Sequence, residues 1–377
     1  MTAHPAPPPI TRPLTDLDQV PWADLCHAYG PATVIPSQLR DLTSLDQATR
    51  DQAWHRMYSN LYHQGSIYEA TPHAVPFLLH LLADERPPDR EGLLTYLSAL
   101  VTGEDEEQWF PDGYDTARIA GWPVETAVYE TVEAGVPTVV APLLDHDDPE
   151  TAVRAAVLTA WFPAQAPHVL PGLRRLCGRA LPRPGRANAL IALGLLAGAA
   201  GDRSDTPLLE RTLADTDAPD RWAAAVALAR VTAPDLPDPA IDALIDELGT
   251  ICTDPDAYED VERVSFCKGF VAALILRTAD RLTDARQEAA RSALVRLLRR
   301  TEEQNPTPWN TAATLVVYTF LDTRPTAPQL TPWQRAVLRS LLDGDRIWAS
   351  GELGLLLSSE YGLPDTPDAL EEWLDRP

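Results

Sequence analysis

The stretch from Pro142 to Trp161, PLLDHDDPETAVRAAVLTAW, decides the fold. It opens on Pro142-Leu143-Leu144, turns through Asp145 to Pro149, and runs into an alanine-rich segment at Arg154-Ala155-Ala156 with apolar positions at helical spacing. The same order returns twice. Pro171-Gly172-Leu173 and Pro207-Leu208-Leu209 follow at intervals of 29 and 36 residues. Arg186-Ala187-Asn188-Ala189 and Arg221-Trp222-Ala223-Ala224 follow Arg154 at intervals of 32 and 35. Each proline start is expected to open a short apolar helix and each arginine start a second one, with Gly178–Pro184 and Asp215–Pro219 as the later turns. Two helices per unit at a period of about 30 to 40 residues indicate an α-solenoid, whose units bury their apolar stripes only by stacking.

Working outward, the same devices recur. Proline is tolerated in the first helical turn, where its missing N–H would have no partner. Asp148-Pro149-Glu150 therefore reads as N-cap, first helical residue and first-turn acid, and Thr307-Pro308, Thr331-Pro332 and Thr366-Pro367 repeat it with threonine as the cap. Many helix starts account for 36 prolines in 377 residues. Small residues, among them Ala155, Ala156, Ala192, Gly194, Ala224 and Ala227, would let stacked helices approach closely. The ends depart from the pattern, with Trp22, Trp54, Trp348 and Trp373 able to cover a stack. The expected architecture is all-α: a right-handed α-α superhelix of stacked antiparallel helix pairs, occupying residues 15–377 as a single domain behind a flexible proline-rich tail, 1–14.

The residues Pro142–Pro149 followed by Val153-Arg154-Ala155-Ala156 resemble the HEAT-repeat consensus, in which a proline enters the first helix, an aspartate sits in the turn and an arginine follows near the second start. Asp215, Asp217 and Arg221 repeat the turn and arginine elements, and the match covers about residues 137–250; the Gly178–Arg186 turn has no aspartate. Leu61–Thr71, with Ala160-Trp161-Phe162-Pro163, is also similar to uncharacterised HEAT-repeat proteins of actinobacteria. The resemblance implies an armadillo-like α-solenoid. HEAT arrays are mostly binding scaffolds, and a minority are enzymes such as DNA glycosylases and phycobilin lyases.

Charge and composition narrow the partners. Lys and Arg number 31 against 55 Asp and Glu, giving a formal net charge of −24. Binding to a nucleic-acid backbone or an anionic membrane requires a basic face, so both are disfavoured, DNA-glycosylase-like activity with them. The longest apolar run, Ala187–Gly201, is shorter than a membrane span and reads as a buried helix. Cys26, Cys177, Cys252 and Cys267 form no paired motif, which favours free thiols in the cytoplasm. Cys267 beside Lys268 could be a reactive thiol, but Phe266 and Phe270 suggest a buried one. No phosphate loop, nucleotide fingerprint or nucleophile elbow is present, and no cofactor is expected.

Two segments could carry function. All eight histidines lie at or before His168. A helix from Ser44 to His63, with Ser44 and Gln47 as a capping box, would place Asp51, His55 and Tyr58 on one face. Gly65 would then turn the chain to bring Tyr68 and Glu69 beside the helix end. His55, Tyr58, Asn60, His63, Gln64, Tyr68 and Glu69 form a polar set suited to ligand binding or acid–base chemistry, and equally to a polar seam between helices. A metal would want His55, His63 and Glu69, but no HxxxH or HExxH spacing supports one, and the expected metal set is none. The second segment, Thr102–Trp122, carries the acidic run Glu104–Glu107 and then Trp109, Phe110, Asp112 and Tyr114, either a contact surface or aromatics that plug a groove. Two arginine groups, Arg174, Arg175, Arg179, Arg183 and Arg186, and Arg286, Arg291, Arg296, Arg299 and Arg300, could meet an acidic partner or a phosphate, or pair with aspartates along the repeats.

The expected function is a binding scaffold that presents a concave surface to a protein or peptide partner. The competing expectation is an enzyme, for instance in specialised metabolism, that holds a small-molecule ligand in its groove at the His/Tyr/Glu set of residues 55–69.

Overall fold

The structure, a computed structural model, describes residues 11–84, 89–103, 113–214, 218–232, 237–251, 309–320, 324–326 and 329–376, with single positions between 283 and 298. The described chain is mostly helical, and its strands are limited to two hairpins of two-residue strands. Among the described residues no helix is long and apolar enough to cross a membrane. Contacts divide the chain into two units, residues 1–181 with 195–201 and residues 182–194 with 202–377.

In the first unit, helices α1 (Ile35–Asp41) and α2 (Gln47–Asn60) pack on each other, and α1 also meets α3 (Thr71–Ala83). Helix α3 packs on α4 (Arg90–Thr102) and on α5 (Pro123–Gly135), while α4 packs on α5 and on α6 (Pro149–Thr159). Helix α7 (Ala166–Cys177) follows against α6. Each helix thus meets its next neighbour or the next but one. The chain is already anchored at Arg12, whose N–H donates to the Pro76 carbonyl at 2.9 Å and whose guanidinium lies 5.2 Å from the Phe77 ring centre.

The proline starts mostly behave as the sequence implies, with two differences. Pro142 sits in a five-residue 3-10 turn, Ala141–Asp145, rather than an α-helix. That turn ends a continuous rod: α5 runs into a π turn, Val136–Val140, and then into the 3-10 turn, with Pro137 and Pro142 each at the start of their segments. Pro171 lies inside α7, which begins at Ala166. Proline at that depth forgoes one backbone hydrogen bond. Burial of Val169, Leu170, Leu173 and Leu176 carries the helix through it.

Asp148 caps α6 as its sequence position implies, accepting from the Thr151 N–H at 2.8 Å and the Thr151 hydroxyl at 2.6 Å. These bonds, the hydroxyl's first, hold its carboxyl below the ordinary carboxylate range. Asp148→Ala is therefore expected to lower stability by about 1 kcal/mol at neutral pH. Because the folded-state pKa is depressed, this contribution is complete above the unfolded value of about 3.9 and is lost as pH falls through the folded value. Urea titrations should show the parent–variant gap at pH 7 narrow below about pH 4; a gap that stays constant would refute the assignment.

In the second unit, α8 (Arg183–Ala200) contributes residues 183–194, where a methyl built on Gly194 would lie 2.4 Å from Ala227 Cα. Helices α9 (Thr206–Leu213), α10 (Ala218–Val231) and α11 (Asp238–Ile251) pack in succession. Further on, α12 (Trp309–Phe320) packs on α13 (Pro332–Leu341), α14 (Arg346–Ala349) and α15 (Glu352–Tyr361), and α13 packs on α16 (Pro367–Leu374). Thr331 and Gln334 form a reciprocal capping box at the start of α13. Thr366 precedes α16 without a side-chain cap, and the Thr307-Pro308 start lies outside the described residues.

The arginines of the first group are taken up by the turns. Arg175 makes two bonds to the Asp145 carboxylate, at 2.8 and 2.6 Å, and Arg179 donates to the His146 and Asp147 carbonyls. In the second unit Arg186 lies 3.0 Å from the buried Asp220 carboxylate, and Arg286 bridges Asp238 and Asp242. Arg291, Arg296, Arg299 and Arg300 lie outside the described residues.

Candidate functional site

The expected helix from Ser44 to His63 is shorter at both ends. Asp46, not Ser44, is the N-cap, accepting from the Thr49 N–H at 3.0 Å, because its carboxylate reaches the third helical amide while the Ser44 hydroxyl accepts from Asp46 N–H. Gln47 turns instead to Asp51, at 2.6 Å. The helix ends at Asn60, and the chain enters a hairpin, β3 (Tyr62–His63) against β4 (Ser66–Ile67). Gln64 and Gly65 form its turn with φ of 49° and 77°, the left-handed pair that a two-residue hairpin requires. Gln64 is the one non-glycine with positive φ among the described residues.

A second hairpin sits beside it. Strand β1 (Cys26–His27) pairs with β2 (Gly30–Pro31), and its turn is stitched to α2 by the Ala28 N–H, which donates to the Asn60 carbonyl at 3.0 Å. The Ala70 N–H donates to the Cys26 carbonyl, and the Glu69 carboxylate accepts the Cys26 N–H at 3.3 Å. These ties bring the Tyr29 hydroxyl to 3.4 Å from His63 Nδ1, with the rings edge-on at 5.4 Å. His27 lies edge-on to Tyr29 on its other side, and its Nδ1 accepts the Tyr29 N–H at 3.1 Å. Burial pushes the His27 imidazole down, in keeping with a ring nitrogen held as an acceptor. Tyr29 itself is 67% exposed.

The residues of the 55–69 set are therefore near in sequence but divided among tasks. His55 is exposed on α2 and its carbonyl accepts from the Ser59 hydroxyl. Tyr58 joins Trp54, Tyr62 and the buried Tyr96, with ring centres of Tyr58 and Tyr96 4.8 Å apart. Burial, and then the neighbouring Tyr58 and Tyr62, push the Tyr96 phenol far up, so its O–H donates to the Met57 carbonyl at 2.8 Å. The Tyr68 N–H donates to the Thr71 hydroxyl, which in turn donates to Leu61 O at the end of α2. Gly65 does turn the chain back to the helix end, but through a hairpin. Among the described residues no three His, Cys, Asp or Glu side chains are grouped to hold a metal, so His55, His63 and Glu69 do not converge.

The tip of the β3–β4 hairpin forms one wall of a pocket of about 250 Å³. The end of α4, Leu100–Gly103, forms another, and Tyr114, Ile119, Trp122 and Glu125 complete it. Gly103 has φ 66°, and a methyl there would lie 3.2 Å from the Gly65 carbonyl, so glycine lets the two backbones meet. Of the second candidate segment, Trp109, Phe110 and Asp112 lie outside the described residues, as does the acidic run Glu104–Glu107. Tyr114 is buried: its hydroxyl donates to the Val101 carbonyl at 3.0 Å and its ring stacks on Tyr129 at 4.6 Å. Burial, then Glu125, pushes this phenol up. Gln64 and Tyr114, from the two candidate segments, thus line the same pocket.

Sequence reasoning missed His27, Tyr29 and Glu125, and used Trp122 only to mark a boundary. Ala28-Tyr29-Gly30-Pro31 carries a turn signal, and Trp122 before Pro123 places an aromatic where a helix usually takes Ser, Thr, Asp or Asn. Comparison of the chain with protein-family models, with curated proteins and with solved structures finds no match.

Proposed function

We propose that this chain is a HEAT-like scaffold of stacked antiparallel helix pairs, a right-handed superhelix whose concave surface receives a protein or peptide partner in the cytoplasm. The succession of neighbouring helix contacts and the Asp–Arg pairs at the turns support the repeat reading. The observation that carries the binding reading is the exposure of Tyr29 and Trp122, 67% and 58%, on firmly tied backbone. Large aromatics held rigid and wet are the side chains that anchor partners at small entropic cost. The enzymatic alternative has less support, because Glu69 accepts a backbone N–H and His27 Nδ1 does the same.

A photo-crosslinking residue placed at Tyr29 or Trp122, in cells that make the protein, tests this. A discrete protein adduct is expected from both positions and none from Leu355, an exposed side chain in the other unit. Absence of a discrete adduct at both sites, or equal adducts at Leu355, would overturn the scaffold reading.

A further inference from the structure

The pocket between the β3–β4 hairpin and the end of α4 is built to attract positive charge, from three independent directions. Glu125 is its carboxylate, and among the described lining residues there is no Lys, Arg or His. The last residues of α4 line it as well, and the last turn of that 13-residue helix carries no basic side chain. Carbonyls gathered at a helix C-terminus present partial negative charge, which cations satisfy. The third direction is the Trp122 indole, whose π face attracts a cation within about 6 Å of its centre.

Local geometry explains why Glu125 faces this way. It is the third residue of α5, from which a glutamate commonly reaches back to the N-cap N–H. That N–H, on Trp122, donates instead to the Ile119 carbonyl at 2.8 Å, and α5 has no side-chain cap. Trp122 and Glu125 stand three residues apart, on the same side of the helix start. The pocket volume, about 250 Å³, lies below the roughly 300–1,000 Å³ of pockets for drug-sized ligands, so it matches one side chain rather than a large cofactor.

We propose that this pocket holds a guanidinium or alkylammonium group, supplied by an arginine or lysine side chain of a basic partner segment. The proposal rests on the scaffold reading and names the chemistry of its partner. The net charge of −24 draws such a segment in, and Glu125, Trp122 and the α4 carbonyls hold one cation of it in place.

Isothermal titration of the full chain with a hexa-arginine peptide, a hexa-citrulline peptide and argininamide, at about 0.15 M salt, tests it. Hexa-arginine is expected to bind, and hexa-citrulline, the same shape without charge, to bind at least about tenfold more weakly. Glu125→Gln and Trp122→Ala should each weaken hexa-arginine by about tenfold. Glu130→Gln removes an exposed charge from the same helix outside the pocket and should change affinity less than twofold. Equal losses for Glu125→Gln and Glu130→Gln would show attraction to net charge alone and overturn the site. Argininamide binding as tightly as the peptide would assign the pocket to a free amine and overturn the partner source. A discrete adduct at Tyr29 with no peptide binding would leave the scaffold standing and remove the cation pocket.

Discussion

Trp161→Ala is expected to cost about 3–5 kcal/mol, the largest effect of any single truncation considered for the first unit. The side chain is 1% exposed at the end of α6, with buried Phe162 beside it. Its indole N–H donates to the Ser98 hydroxyl on α4 at 3.2 Å, and its backbone carbonyl accepts the Tyr129 hydroxyl from α5, also at 3.2 Å. Truncation opens a cavity where three helices meet and takes from the Ser98 oxygen a buried donor. Trp161→Phe keeps most of the volume and loses the donor, so about 1–2 kcal/mol is expected. Urea unfolding followed by far-ultraviolet circular dichroism separates the two. An alanine variant within about 1 kcal/mol of the parent, or a phenylalanine variant as damaged as the alanine one, would disprove the role assigned to the indole.

The second large effect is expected at Gly194, and its sign is the informative part. Alanine in place of glycine inside a helix normally stabilises by up to about 1 kcal/mol. Here the new methyl would stand 2.4 Å from Ala227 Cα and 2.5 Å from Ala227 Cβ, so a backbone must move. Overpacking of that kind costs about 1–3 kcal/mol, and the net is a loss of about 1–2. Gly194→Val adds two more carbons and a poorer helix former, and should lose more than Gly194→Ala. Thermal denaturation reads both. A raised melting temperature for Gly194→Ala would mean that α8 and α10 separate at little cost, against the close approach described.

Helix type and helix starts were legible because they are local: Asp148-Pro149 and Thr331-Pro332 name their own caps. Close packing at Gly194 was legible too, since only contact with another helix explains such a run of small residues. What escaped was set by bonds between distant residues. Nothing in Ser44–His63 says that the helix will end at Asn60, because the hairpin beyond it is held partly by a backbone bond from Ala28. Tyr29 meets His63 across 34 residues for the same reason. Glu125 and Trp122 looked like an ordinary helix start; their meaning depends on where α4 ends. Tyr114 shows the converse, a residue legible as important whose phenol turns inward to Val101.

The rod from Pro123 to Asp145 also fixes where the chain tolerates a change in length. A π turn is in effect an α-helix with an extra residue, so it winds too slowly, and the 3-10 turn that follows winds too fast. The two phase errors have opposite sign, and Val136, Val139, Val140 and Leu144 all remain buried. Losing one residue from Val136–Val140 would relax the π turn to a plain helix and swing everything after it by about 100° about the axis. Leu144 would leave its seat, and with it the Asp145 carboxylate that Arg175 grips. The segment therefore tolerates substitution far better than deletion, and its length is inherited as a unit.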